Sequence, residues 1–120
     1  QSYSNINGHE YANRSYFDGN GVSQDYYLSF KWAKLSAEQG IGNAQVGLGI
    51  FYFTGVGTIK DNVYAYMWAN IGSMSGQKEA KGLRDFLSKK MTKSEIEKAQ
   101  VLARKCIKSK LNGCSKKTSP

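Results

Sequence analysis

The chain has 120 residues, 40% of them hydrophobic and 22% charged, and carries a net charge of +8. That length builds one domain with a core but leaves no room for a separate catalytic module, and the composition is that of a folded globular chain. No apolar run approaches the roughly 18 residues of a membrane helix, and the sole proline is Pro120, so nothing interrupts helices in the body.

Taken in chain order, apolar residues at helical spacing mark out pairs of helices. A first helix covers about residues 7–17 and is poor in apolar residues, as a terminal repeat would be. After Gly19-Asn20-Gly21, Asp25 caps a second helix, whose Leu28, Ser29, Trp32 and Leu35 face inward until Gly40 stops it. A third helix, about residues 43–54, places Ala44, Leu48, Phe51 and Tyr52 on one side. It ends at Gly55-Val56-Gly57, since glycine accepts the positive φ of a helix C-terminus. Asp61 caps a fourth helix with Tyr64, Ala65, Trp68 and Ile71 on one face, closed by Gly76. Ala80, Leu83 and Leu87 carry a fifth helix that no glycine turn follows. Thr92 and Glu95 form a capping box, flanked by a Met91–Ile96 staple, and open a final helix striped by Ile96, Ala99, Ala103, Cys106 and Ile107. Residues 115–120 read as a frayed tail. Six helices are expected.

These elements repeat with a period of 36 residues: Tyr16 and Phe17 land on Tyr52 and Phe53, Gly19 and Gly21 on Gly55 and Gly57, Asp25 on Asp61, Trp32 on Trp68, and Gly40 on Gly76. Gly, Trp, Tyr and Phe seldom coincide by chance, and such a period signals a solenoid whose units bury a face by stacking. The units run over 6–40, 41–76 and a capping helix pair at 77–114. Small residues at Ser29/Ala65, Ala33/Ala69 and Ser36/Gly72 allow close helix approach around the Trp rings.

The stretch Gly19-Asn20-Gly21-Val22-Ser23-Gln24-Asp25-Tyr26, then Trp32 and Ala37-Glu38-Gln39-Gly40, then Ala44-Gln45, Leu48-Gly49 and Tyr52, resembles the Sel-one-like repeat. The resemblance covers roughly residues 8–88. It implies an all-α, right-handed α-solenoid of antiparallel helix pairs, related to tetratricopeptide repeats, that serves as an adaptor or binding scaffold, often in bacterial envelopes. The end of the chain also looks like that of bacterial members, where a closing helix finishes with a Cys pair. Ser29 and Ser36 depart from the usual alanines, and the third unit loses its glycine turn, which reads as capping.

Cys106 and Cys114 are eight residues apart, about 12 Å in a continuous helix and beyond disulfide reach. An Asn112-Gly113 left-handed turn would bring the chain back. An even Cys count and this turn favour a bridge, hence a periplasmic or secreted location; two separate reduced thiols are the alternative. The opening at Gln1 fits a mature chain whose leader has been removed. Two Cys and the distant His9 cannot complete a tetrahedral zinc site, so no metal or cofactor is expected. No catalytic constellation is present either: the paired glycines lack the third glycine and strand of a dinucleotide loop, and Asp25 and Asp61 read as caps.

Charge divides the chain. Residues 78–120 hold thirteen Lys and Arg against four Asp and Glu, whereas residues 1–77 hold four against five. The basic third is a solvated cap or a patch for anionic surfaces; without interleaved aromatics it is not a nucleic-acid site. The remaining surface is the face of the first helix of each unit, onto which the period projects Glu10, Arg14 and Phe17, then Asn43, Val46, Ile50 and Phe53, then Phe86. Apolar residues there suggest a groove for another protein, unless they pack into the core. The expected function is a non-catalytic interaction scaffold, monomeric by itself, with an immunity or adaptor role as a specific form. The alternatives are a binder of cell-wall or lipid anions through the basic cap, and a hydrolase.

Overall fold

The structure, a computed structural model, describes residues 22–114, and their side chains from residue 25. Five helices and no strand occur among them: α1 (Val22–Glu38), α2 (Gly42–Thr54), α3 (Asn62–Met74), α4 (Lys78–Ser88) and α5 (Lys93–Lys108). The helix expected over residues 7–17 and the tail at 115–120 lie outside the described residues. Successive helices α1 to α4 pack on one another, α2 also touches α4, and α5 runs back against α3 with little backbone approach to α4. This is an α-solenoid.

Local chemistry sets the boundaries. Gly55 ends α2 at φ 74°, its amide donating to the Phe51 carbonyl at 2.8 Å; a side chain there would carry the left-handed penalty. The loop that follows is tied back when the Asp61 amide donates to the Tyr52 carbonyl at 2.8 Å. Asp61 then accepts the Tyr64 amide at 3.1 Å and caps α3 as expected. The capping box at α5 is complete: the Glu95 amide donates to Thr92 Oγ1 at 3.1 Å, and the Thr92 amide donates to Glu95 Oε1 at 2.9 Å. Asp25 is a correction, since α1 starts at Val22 and holds Asp25 in its first turn. No breaker separates Val22 from Asp25, and a carboxylate one turn in still favours the positive end of the helix.

The core is built around Leu48, Tyr52, Ala65, Met67, Trp68 and Leu87, all buried. Phe30 of α1 meets Tyr52 edge to face at 5.4 Å and Phe51 at 6.1 Å, an arrangement aromatic quadrupoles favour. Close approach is bought by small residues: a methyl added at Gly72 would stand 3.0 Å from Ala80 Cβ. Four inward assignments need correcting. Leu28 and Leu35 are exposed and Trp32 is half-buried, while Phe30, Ala33 and Ala37 enter the core. The helix carries two apolar stripes on nearly opposite sides, at 28/32/35 and 30/33/37, and α2 packs on the second. On α5, Ile107 lies at the exposed rim, and Leu102 packs against the core beside Ala99, Ala103 and Cys106.

Cys106 and Cys114 form a disulfide with their Cα atoms 5.3 Å apart. The chain reverses earlier than the Asn112-Gly113 reading has it. Left-handed φ appears at Lys110 (58°) and Leu111 (67°) as well as at Gly113 (69°). The Leu111 amide donates to the Cys106 carbonyl at 2.9 Å, and the Ser109 hydroxyl reaches both the Cys106 and Asn112 carbonyls. The reversal carries Leu111 over Gly40, at the end of α1. Gly40, Gln45, Ile71, Met74, Ser75, Ile107 and Leu111 line the open cavity of about 350 Å³ between them.

Candidate functional site

The face formed by α2 and α4 holds the described residues expected to bind a partner. Asn43, Val46, Ile50 and Phe53 fall three or four positions apart and so share one side of α2. Depth varies along that stripe. Asn43 is exposed at its start, but Val46 is only 9% exposed, because its Cγ2 looks onto Gly72 of α3 where no side chain intervenes. Val46 is therefore a core residue, not a groove residue. One turn on, the stripe opens: Ile50 is 45% exposed and Phe53 half-buried. Glu10, Arg14 and Phe17 lie outside the described residues.

Phe86 of α4, 47% exposed, completes the open end. Its ring meets that of Phe53 edge to face, with centroids 5.5 Å apart and planes at 88°. Two aromatic side chains from successive repeats thus form one surface. Each also faces a cation: Lys60 Nζ stands 5.5 Å from the Phe53 centroid, and Lys90 Nζ 5.1 Å from that of Phe86.

Sequence reasoning missed both lysines. The division of charge puts Lys90 in the basic cap, whereas its ammonium stands over the Phe86 ring on the α2–α4 face. The spacing of Lys90 four residues after Phe86 was the available signal. Lys60 had none, because its position depends on the path of the loop between α2 and α3.

Gln45 is another residue that helical spacing does not single out. It is buried in α2, donates through Nε2 to the Ala37 carbonyl of α1 at 3.3 Å, and accepts through Oε1 from the Ser75 hydroxyl after α3 at 3.2 Å. One amide therefore joins three consecutive helices. It holds repeat to repeat.

Among the described residues no group of three His, Cys, Asp or Glu is placed to hold a metal ion, and no helix is long and apolar enough to cross a membrane. One ion pair occurs there, Arg84–Asp85 at 3.4 Å. Lys78, Lys81, Lys89, Lys93, Lys98, Lys105, Lys108 and Lys110 are all exposed, as a solvated basic surface requires.

No curated protein sequence matches the chain significantly. A solved crystal structure does: a protective antigen present in uropathogenic Escherichia coli strains and displaying an SLR fold, with 27% sequence identity and a TM-score of 0.74. The similarity covers 93% of this chain but 25% of that one, so the chain spans about a quarter of the solved protein's length. The Sel1 repeat model matches residues 9–41 and 42–77 in direct succession. With more than half its length in two matched repeats and the same solenoid in three dimensions, the chain belongs to the Sel1 repeat family.

Proposed function

We propose that the protein is a non-catalytic scaffold that holds another protein on the open end of the α2–α4 face, working as an adaptor or as an inhibitor of the immunity type in a bacterial envelope. Sel1 repeats serve generally in protein–protein interaction. The observation that carries the choice of face is the Phe53–Phe86 pair, which joins two repeats into one half-exposed aromatic surface next to Ile50. An apolar centre with a charged rim is the anatomy of a specific protein interface. The Cys106–Cys114 bridge fits an oxidising compartment, periplasmic or secreted. The description of the solved relative as a protective antigen agrees with export.

A second reading has the basic surface of α4 and α5 holding anionic cell-wall or lipid groups; the exposed, unbridged lysines there favour it. Pull-down from an envelope extract separates the two. On the first reading, Ile50→Asp with Phe53→Asp abolishes capture of a stoichiometric protein band while helicity is kept. Reversal of Lys89 and Lys93 to Glu then slows association only. On the second reading the lysine variant loses binding, and wild-type binding falls steeply with salt.

A further inference from the structure

The open end of the groove also restricts the chemistry of what sits on it. Lys60, Phe53, Phe86 and Lys90 follow one another in contact, so the order along the surface is cation, ring, ring, cation. Their spacings put the two ammonium groups within about 16 Å of each other. Four or five residues of extended peptide cover that span at about 3.3 Å each. Neither lysine is ion-paired among the described residues. The nearby Arg84 is occupied with Asp85 and, through Nη1, with the Ser73 hydroxyl of α3. An exposed ammonium over a ring is held more weakly than one hydrogen-bonded to a carboxylate. Both cations are therefore held in place and still available.

We propose that this end of the groove takes an acidic segment of the partner protein, with an apolar side chain seated on the Phe53–Phe86 pair and carboxylates on either side of it meeting Lys60 and Lys90. The inference rests on the reading of the groove as a protein-binding face and adds the partner's charge to it. Charge complementarity selects this occupant over the others. A second copy of the chain brings a net charge of +8 toward a cation-lined site and is repelled. A nucleic acid needs aromatic faces free for base stacking. Here the two rings are perpendicular and each already has a cation on a face.

The test uses the whole chain and fluorescein-labelled peptides with blocked ends, read by anisotropy. The probes are Asp-Asp-Leu-Phe-Asp-Asp, the same peptide with asparagine for aspartate, and a labelled thymidine oligonucleotide. The acidic peptide is expected to bind at least about tenfold more tightly than the neutral one at about 50 mM NaCl, and to lose most of that advantage at about 300 mM. Lys60→Gln with Lys90→Gln removes the advantage, while Lys105→Gln with Lys108→Gln, on α5, keeps it. Equal binding of the acidic and neutral peptides, both lost in Ile50→Asp, overturns the acidic requirement and leaves the groove reading standing. Loss of the acidic peptide in the α5 variant alone moves the site to the basic surface and overturns both. Tighter binding of the oligonucleotide than of either peptide overturns the proposal, as does no peptide binding up to about 1 mM. In that last case the envelope pull-down judges the groove separately.

Discussion

Gly57 lies against the backbone of Tyr26. At φ 77° its Cα faces the Tyr26 carbonyl so closely that a methyl group would run into the oxygen, with Phe30 Cβ next at 3.3 Å. The loop between α2 and α3 is seated on α1 through that glycine, so it links one repeat to the next. Gly57→Ala combines a left-handed backbone penalty with overpacking against a rigid carbonyl, and should cost about 2–4 kcal/mol. Urea unfolding of the variant measures it. A loss below about 0.5 kcal/mol would show that the loop is free to lift away.

Trp68 is fully buried, and its indole N–H has no hydrogen-bond partner among the described residues. Trp68→Ala should cost about 3–5 kcal/mol. Trp68→Phe should cost clearly less, because it fills much of the space and removes an unsatisfied donor. Trp32, at the equivalent position but half-buried, should lose roughly half as much on truncation to alanine. Equal losses at the two sites would contradict this difference in burial.

Gln45→Leu leaves the Ala37 carbonyl without its side-chain donor and the Ser75 hydroxyl without one of its acceptors, although Ser75 keeps a bond to the Ile71 carbonyl at 3.2 Å. A cost of about 1–3 kcal/mol is expected. Hydrogen exchange in the variant should speed up at the turns after α1 and after α3 together. Acceleration at only one turn would show that the amide serves that neighbour alone.

Reduction of Cys106–Cys114 should add two hydrogens to the intact mass. In the loop-entropy picture it removes about 2–3 kcal/mol of stability. Calorimetry of the oxidised protein and of Cys114→Ser reads the difference as a fall in Tm of about 10 °C. Free thiols in protein taken from its native compartment would undo the argument for an oxidising location.

Phe86, a residue of the proposed binding face, contributes little to the core, since nearly half of it is open to water. Phe86→Ala should lower stability by about 1 kcal/mol, the scale of one exposed aromatic pair. Partner affinity should drop at least about tenfold. A large stability loss without an affinity change would return Phe86 to the core.

The helices and most of their turns and caps were legible because each rests on neighbours in sequence; the Asp25 cap and the reversal after α5 are the exceptions. Asp61 needs only Tyr64, Thr92 needs only Glu95, and Gly55 answers a backbone demand made by its own helix. The misplaced side chains share another cause. Whether Leu28 or Phe30 turns inward depends on which side α2 approaches, and the depth of Val46 depends on Gly72, a residue of another helix. The same holds for the rim of the site. Ile50, Phe53 and Phe86 follow from the period, but Lys60 reaches its ring through a loop whose path the pattern does not specify.

The reversal at the end of α5 has a consequence for how the molecule comes apart. Stacked repeats usually exchange contacts only with their neighbours, so they can fray from either end and melt unit by unit. Here Leu111 comes within reach of Gly40, the residue that closes α1, and α5 lies along α3 between them. The last helix cannot peel away without also lifting Leu111 from the turn that joins the first two described helices. Thermal unfolding of this stretch should therefore be a single cooperative event, with calorimetric and van't Hoff enthalpies in agreement, and the far-apart pairing at its end should be the slow step in making it.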